Sequence, residues 1–148
     1  MPRIEREIDI EAPPEQVFAY ATAEENQTKW IVFLKEYRVT SEQKQGPGIT
    51  DRCVIQMGPR KEEMDAVCTE YVPGQVYARR TTSGLQMEGR LTFEPAGDST
   101  LVAWTVDYTP PMGALGVVVD LLLMRRLFIN QVEDSLERLK QQLEQAAG

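Results

Sequence analysis

The chain has 148 residues, 42% of them hydrophobic and 26% charged, which suits one domain, residues 1–148, around one core. A net charge of −7 argues against nucleic acid and against an anionic membrane surface, since phosphates would be repelled. Histidine is absent, which removes the commonest general base and the commonest metal ligand, so the sequence predicts neither a metal site nor a cofactor.

The first residues are charged and carry no apolar stretch of signal-peptide type. Ile4, Ile8 and Ile10 alternate with Glu5, Glu7 and Asp9, which predicts a strand with one wet face. Ala12-Pro13-Pro14-Glu15 ends it and starts a short helix carrying Val17, Phe18 and Ala21. Thr22-Ala23-Glu24-Glu25 has the capping-box pattern and predicts a second short helix to about Lys29, followed by an apolar connector from Trp30 to Leu34.

Six strand-like runs follow, at about Tyr37–Glu42, Ile49–Met57, Glu62–Tyr71, Val76–Thr82, Met87–Glu94 and Thr100–Tyr108. Short glycine- and proline-containing spacers separate them, as between antiparallel neighbours. Cys53 and Cys68 lie in two of these runs. They are too few for a disulfide framework and lack zinc-site spacing, yet one bridge between neighbouring strands is conceivable. From Gly116 to Gln145 the chain reads as one long helix. Leu121, Met124, Phe128, Val132, Leu136, Leu139 and Leu143 draw a single apolar stripe along it. No second helix of that length is available to cover the stripe, so the sheet must. The longest near-apolar stretch, Met112 to Met124, falls short of the roughly 20 residues of a membrane span. A cytoplasmic protein without an integral membrane segment is the expectation.

The element order resembles the START-like, or SRPBCC, superfamily. The residues that carry the likeness are Glu11-Ala-Pro-Pro-Glu-Gln-Val-Phe18, Trp30, Gly89-Arg-Leu-Thr-Phe-Glu-Pro95, Ser99-Thr-Leu-Val-Ala-Trp-Thr-Val-Asp-Tyr108 and the closing helix. Within the superfamily the chain looks most like the polyketide cyclase/dehydrase-type branch. The resemblance implies an α+β helix-grip fold. In it a curved seven-stranded antiparallel sheet wraps a long C-terminal helix, two short helices lie between strands 1 and 2, and a cavity lies between sheet and helix.

Hairpin arithmetic predicts what faces that cavity. A two-residue turn at Gly97-Asp98 pairs Leu91 with Trp104, Gly89 with Val106 and Met87 with Tyr108. Two-residue turns at Ser83-Gly84 and Pro73-Gly74 pair Arg80 with Met87 and Val67 with Arg80. These registers share one inner face, but they turn Met64, Ala66 and Cys68 outward. A Pro59-Arg60 turn would likewise misplace Cys53, Ile55 and Met57, so a longer loop or a bulge intervenes, or one register is wrong. The predicted ligand-binding set is Val67, Arg80, Met87, Gly89, Leu91, Trp104, Val106 and Tyr108 from the sheet, with Leu121, Met124 and Phe128 from the helix. Arg80 and Tyr108 would anchor the polar end of an apolar ligand, with Asp65 as a partner for Arg80. The favoured alternative is that Arg80 snorkels to water from the sheet rim beside a Tyr108 with its hydroxyl at the surface. Trp30 and Trp104 line a cavity or are core, and the methionines are an adaptable wall or plain filler.

Three functions compete on this reading. The first is binding or transport of a small hydrophobic or amphipathic ligand such as a lipid, polyketide or isoprenoid. The second is a polyketide cyclase- or dehydratase-like enzyme, for which Tyr108, Arg80, Asp65, Glu70 and Asp107 are the only candidate groups and none is assigned as catalytic. The third is a protein-interaction module without a ligand. Oligomeric state is open.

Overall fold

The computed structural model describes residues 3–109 and 118–147, with side chains over 3–109 and 122–145. Strand β1 is Arg3–Ile10. It is followed by helix α1 (Pro14–Thr22), a 3-10 turn (Glu24–Asn26) and helix α2 (Gln27–Trp30). Strands β2 (Leu34–Val39), β3 (Thr50–Met57), β4 (Arg60–Val72), β5 (Val76–Ser83), β6 (Met87–Ala96) and β7 (Ser99–Tyr108) come next, and helix α3 (Val118–Ala147) closes the chain. This is the helix-grip α+β architecture.

The strands form one sheet in the order β1-β7-β6-β5-β4-β3-β2, with every neighbouring pair antiparallel. The chain leaves one edge after β1 and re-enters at the other edge with β2, so α1 and α2 carry it across. Val17, Phe18 and Ala21 bury one face of α1, whose start has proline in its first turn and Glu15 at its positive end. The capping box is not formed. Thr22 turns back to donate to the Phe18 carbonyl, and the neighbouring Glu24 accepts the Val39 backbone N–H. A hydroxyl that back-bonds within its own helix is not free to cap the next one.

Helix α3 is 30 residues long, about 45 Å at the usual rise. Phe128, Val132, Leu136, Leu139 and Leu143 are all at most 2% exposed. Each such side chain contributes about 1.5–3 kcal/mol on burial. The stripe lies against the sheet and the α2–β2 connector, whose Val32 N–H is accepted by Ser135 Oγ of α3. Leu121 of the expected stripe lies outside the described side chains.

Three registers decide which residues face inward. The Gly97-Asp98 hairpin pairs Leu91 with Trp104, Gly89 with Val106 and Met87 with Tyr108, as the sequence predicts. The Ser83-Gly84 hairpin does not hold to two residues. Gly89 pairs with Arg79 and Glu88 with Arg80, a slip of one that reverses every side chain of β5 relative to the expectation. Beyond Arg80 the Thr81 hydroxyl accepts the Met87 N–H at 3.0 Å, where a backbone carbonyl would otherwise serve. Gly84 sits in that loop at φ +84°, and a Cβ there would collide with the Glu63 carbonyl. On the other side of β5, the β4 register shifts between Cys68 and Glu70, leaving Thr69 as the extra residue of a bulge. The bulge lets Met64, Ala66 and Cys68 point inward and Tyr71 do so after it. The next turn is Gly58-Pro59, not Pro59-Arg60, with Gly58 at φ +59° and Met57 opposite Arg60. That choice turns Asp51, Cys53, Ile55 and Met57 to the core. Cys53 and Cys68 are both buried and both free thiols.

Candidate functional site

A cavity of about 60 Å³ lies between the middle of the sheet and the α2–β2 segment. Its floor is Gly89 and Leu91 of β6 with Trp104 and Val106 of β7. Ile55, Met64 and Tyr77 form a wall, and Trp30, Ile31, Phe33 and Leu34 form the roof. Aromatic packing fixes these surfaces. The Trp30 and Trp104 rings lie 5.3 Å apart and Phe33 stacks on Trp104 at 6.0 Å. Such pairs add about 0.5–1.5 kcal/mol beyond burial. Trp30 is tied further by its indole N–H, which donates to the Ala21 carbonyl at 3.1 Å.

While the exposed Arg80 and Glu88 stand at the rim, Arg79 of β5 enters from the inner face of the sheet. Its Nε and Nη2 donate to the two carboxylate oxygens of Asp51 at 3.1 and 2.6 Å, a bidentate fork reaching over β4 to β3. The Asp51 side chain is 2% exposed. Arg79 also lies over the Tyr37 ring, 5.7 Å from its centroid, and donates to Cys53 Sγ at 3.6 Å. Burial disfavours the guanidinium, but the Asp51 carboxylate outweighs it and holds the Arg79 pKa well above the ordinary value. Burial pushes the Tyr77 phenol up, although Arg79 works against it. Burial raises Tyr37, Cys53 and Cys68 likewise.

Of the residues the sequence singles out, Met87, Gly89, Leu91, Trp104 and Val106 border the cavity. Arg80 borders only its rim. It belongs to the outer face, opposite Glu88 and Val67, and is exposed. Val67 is on that outer face too, so the pair keeps the expected register with the opposite facing. Asp65 is no partner for a core arginine. It accepts from Ser83 Oγ on the outside. Tyr108 and Phe128 pack on each other at 5.1 Å, apart from the cavity, and Tyr108 is 2% exposed. Met124 borders a separate crevice of about 10 Å³ with Ile55, Met57 and Leu85. The Leu121 side chain lies outside the described residues.

The sequence reading missed Asp51, Arg79 and Tyr77. Two signals were present. Asp51 shares its period-two face with Cys53, Ile55 and Met57, and Gly58 is the residue suited to the φ > 0 position of a turn. Nothing local distinguishes Arg79 from Arg80. Among the described residues there is no group of three or more His, Cys, Asp or Glu side chains placed to hold a metal ion.

The family described as polyketide cyclase / dehydrase and lipid transport matches the chain over residues 1–144. Similar solved structures include a protein of Thermus thermophilus, with TM-score 0.84 and 23% identity over 99% of this chain and 100% of that one. The Zhui aromatase/cyclase from Streptomyces sp. R1128 superposes with TM-score 0.82 at 11% identity, covering 99% and 96% of the two chains. A START superfamily protein from Mycobacterium smegmatis gives TM-score 0.76 at 15% identity, covering 95% and 98%. At these identities the likeness is one of fold. No curated protein sequence matches the chain.

Proposed function

The chain belongs to the polyketide cyclase / dehydrase and lipid transport family, and from that premise we propose that it binds a small hydrophobic or amphipathic molecule between the sheet and the α2–β2 segment. The observation that carries this reading is the cavity wall itself, apolar and aromatic on floor and roof, with a few polar side chains, Gln27, Thr81, the Asp51-paired Arg79, Arg80 and Glu88, around its side and rim. Apolar walls with a few placed polar groups are the usual make-up of a ligand pocket.

The volume limits the occupant. Drug-sized ligands fill roughly 300–1,000 Å³, whereas this cavity holds about 60 Å³. It therefore accepts one end of a larger molecule, or a compact small one. Met64 and Met87 at its border are the side chains best able to re-pack around it.

Binding is favoured over catalysis by the state of the ionisable groups. Burial moves the Tyr77 phenol and both thiols away from neutral titration, and Arg79 stays a cation. A general acid or base works best with a pKa near the operating pH. The test is mass spectrometry of an organic extract from natively purified protein, combined with thermal shifts against fatty acids, isoprenoid alcohols and aromatic ketones. A small molecule released in stoichiometric amount, or a stabilising panel member, supports the reading. An empty protein that no panel member stabilises overturns it.

A further inference from the structure

Among the described residues four large apolar side chains stand exposed, and three of them share the first turns of α3. Leu122 is 63% exposed, Leu123 62% and Leu127 37%. Together with the exposed Arg126 and Asn130 they occupy positions 122, 123, 126, 127 and 130, which is one outer face of a helix. A single exposed leucine needs no explanation, whereas a cluster on one face does.

The β3–β4 hairpin extends this patch. A Cβ built on Gly58 of its turn would stand 3.7 Å from Leu127 Cδ2. Arg60 and Glu62 of the same hairpin border a crevice with Met124 of α3 and Leu85 of the β5–β6 loop. The start of α3 and the hairpin therefore form one end of the molecule.

The net charge of −7 tells against contact between the molecule as a whole and an anionic surface. Its placement is uneven, however. Arg125 and Arg126 interleave with the leucines and enter no ion pair among the described residues. Arg125 reaches only the Arg3 carbonyl, at 3.5 Å. The hairpin adds the exposed Arg60 and Lys61, with Glu62 standing 3.9 Å from Arg60. Farther along α3 the exposed face turns acidic, at Glu133, Asp134 and Glu137. An anionic surface would attract the leucine end and repel the rest, which orients the approach.

The shape and the charge select the occupant. The leucines project from a convex helix and line no pocket, whereas a protein partner's anchors are held in pockets. Projecting leucines with arginines beside them, whose stems reach back to headgroups, are the pattern of a helix lying in a bilayer interface. A second copy of the chain, meeting the same patch about a two-fold axis, would set Arg125 and Arg126 against like charges. We propose that the first turns of α3 dock the protein on an anionic lipid bilayer. Leu122, Leu123 and Leu127 enter the acyl boundary, while Arg126 and Arg60 meet the lipid phosphates. The helix lies on the bilayer, since no described helix is long and apolar enough to cross one. This surface is separate from the cavity and does not depend on what the cavity holds.

The experiment is co-sedimentation of the full chain with vesicles of phosphatidylcholine alone and with about 30% phosphatidylglycerol. Binding to the anionic vesicles is expected to be at least about tenfold tighter, and to be lost at about 0.5 M NaCl. Arg60→Glu with Arg126→Glu is expected to bring it down to the level on neutral vesicles. Leu122→Ser with Leu123→Ser is expected to weaken it at least about tenfold with the thermal midpoint retained, because both side chains are exposed. Leu123→Trp adds a reporter to a chain whose own tryptophans are buried, and its emission is expected to shift to the blue on anionic vesicles alone. Equal binding to both vesicles, no binding to either, or a Leu123→Trp emission that stays put overturns the proposal. Full binding by the leucine pair variant overturns it too. So does a concentration-dependent dimer that the leucine pair variant abolishes, since a second copy then covers the patch.

Discussion

Arg79 and Asp51 carry opposite charges on the inner face of the sheet, and the buried Asp51 is tolerable there because of Arg79. The carboxylate is 2% exposed and both of its oxygens are taken by one guanidinium. Removing one partner leaves a buried charge unanswered, which costs about 3–5 kcal/mol, whereas replacing both with apolar groups is close to neutral. Arg79→Met is therefore expected to lower stability by that amount in urea denaturation, and Arg79→Met with Asp51→Leu is expected to recover most of it. Arg80, one residue on, makes the opposite prediction in the same assay, because it is exposed. The sequence offers Arg79 and Arg80 as equals. The face each takes is set by the count of residues in a hairpin loop, which neither arginine influences.

At the scale of the element, two irregularities shape the cavity side of the sheet. Thr69 is the extra residue of the β4 bulge, and it reconciles Met64, Ala66 and Cys68 with Tyr71 on one inner face. Thr81 closes the end of the β5–β6 ladder with its side chain, accepting the Met87 N–H and donating to the Met87 carbonyl. Thr81→Val keeps the shape and removes that link. It is expected to cost about 1 kcal/mol and to speed hydrogen exchange at the Met87 amide, read by NMR, while the β6–β7 amides keep their protection. The alternation in β6 and β7 was legible beforehand, since a glycine-containing two-residue turn fixes register. The β5 register was not, because it depends on a side chain substituting for a backbone acceptor.

Across the whole molecule, α3 and the sheet share one core. Phe128 is fully buried and its ring meets Phe33 at 5.1 Å and Tyr108 at 5.1 Å, joining the helix to the connector and to β7. Phe128→Ala is expected to destabilise by about 3–5 kcal/mol, seen as a lowered thermal midpoint with the transition still cooperative. The same core guards the thiols. Burial raises the pKa of Cys53 and of Cys68, and Arg79 only partly offsets it. A higher thiol pKa means less thiolate at a given pH, and poor access slows reaction further. Alkylation by iodoacetamide at pH 8 is expected to be at least about 100-fold slower in the native protein than in urea. Rapid labelling of either thiol in the native state would show that this part of the sheet opens.

The helix-grip architecture comes from the resemblance to the START-like superfamily, whereas the long amphipathic helix, the seven strands and the inward facing of Leu91, Trp104 and Val106 follow from the residues themselves. Each is written in a local period, 3.6 for the helix and 2 for the strands, or in a two-residue turn. Tertiary structure alone decided that Arg79 and not Arg80 enters the core, that Asp51 meets it across β4, and that Tyr108 and Phe128 pack on each other instead of bordering the cavity. The reason is the strand period itself. With side chains alternating at every residue, a single extra position in a loop or a bulge exchanges the two faces of a strand. Whether that position is present depends on long-range contacts such as Thr81 with Met87, and no local pattern records them.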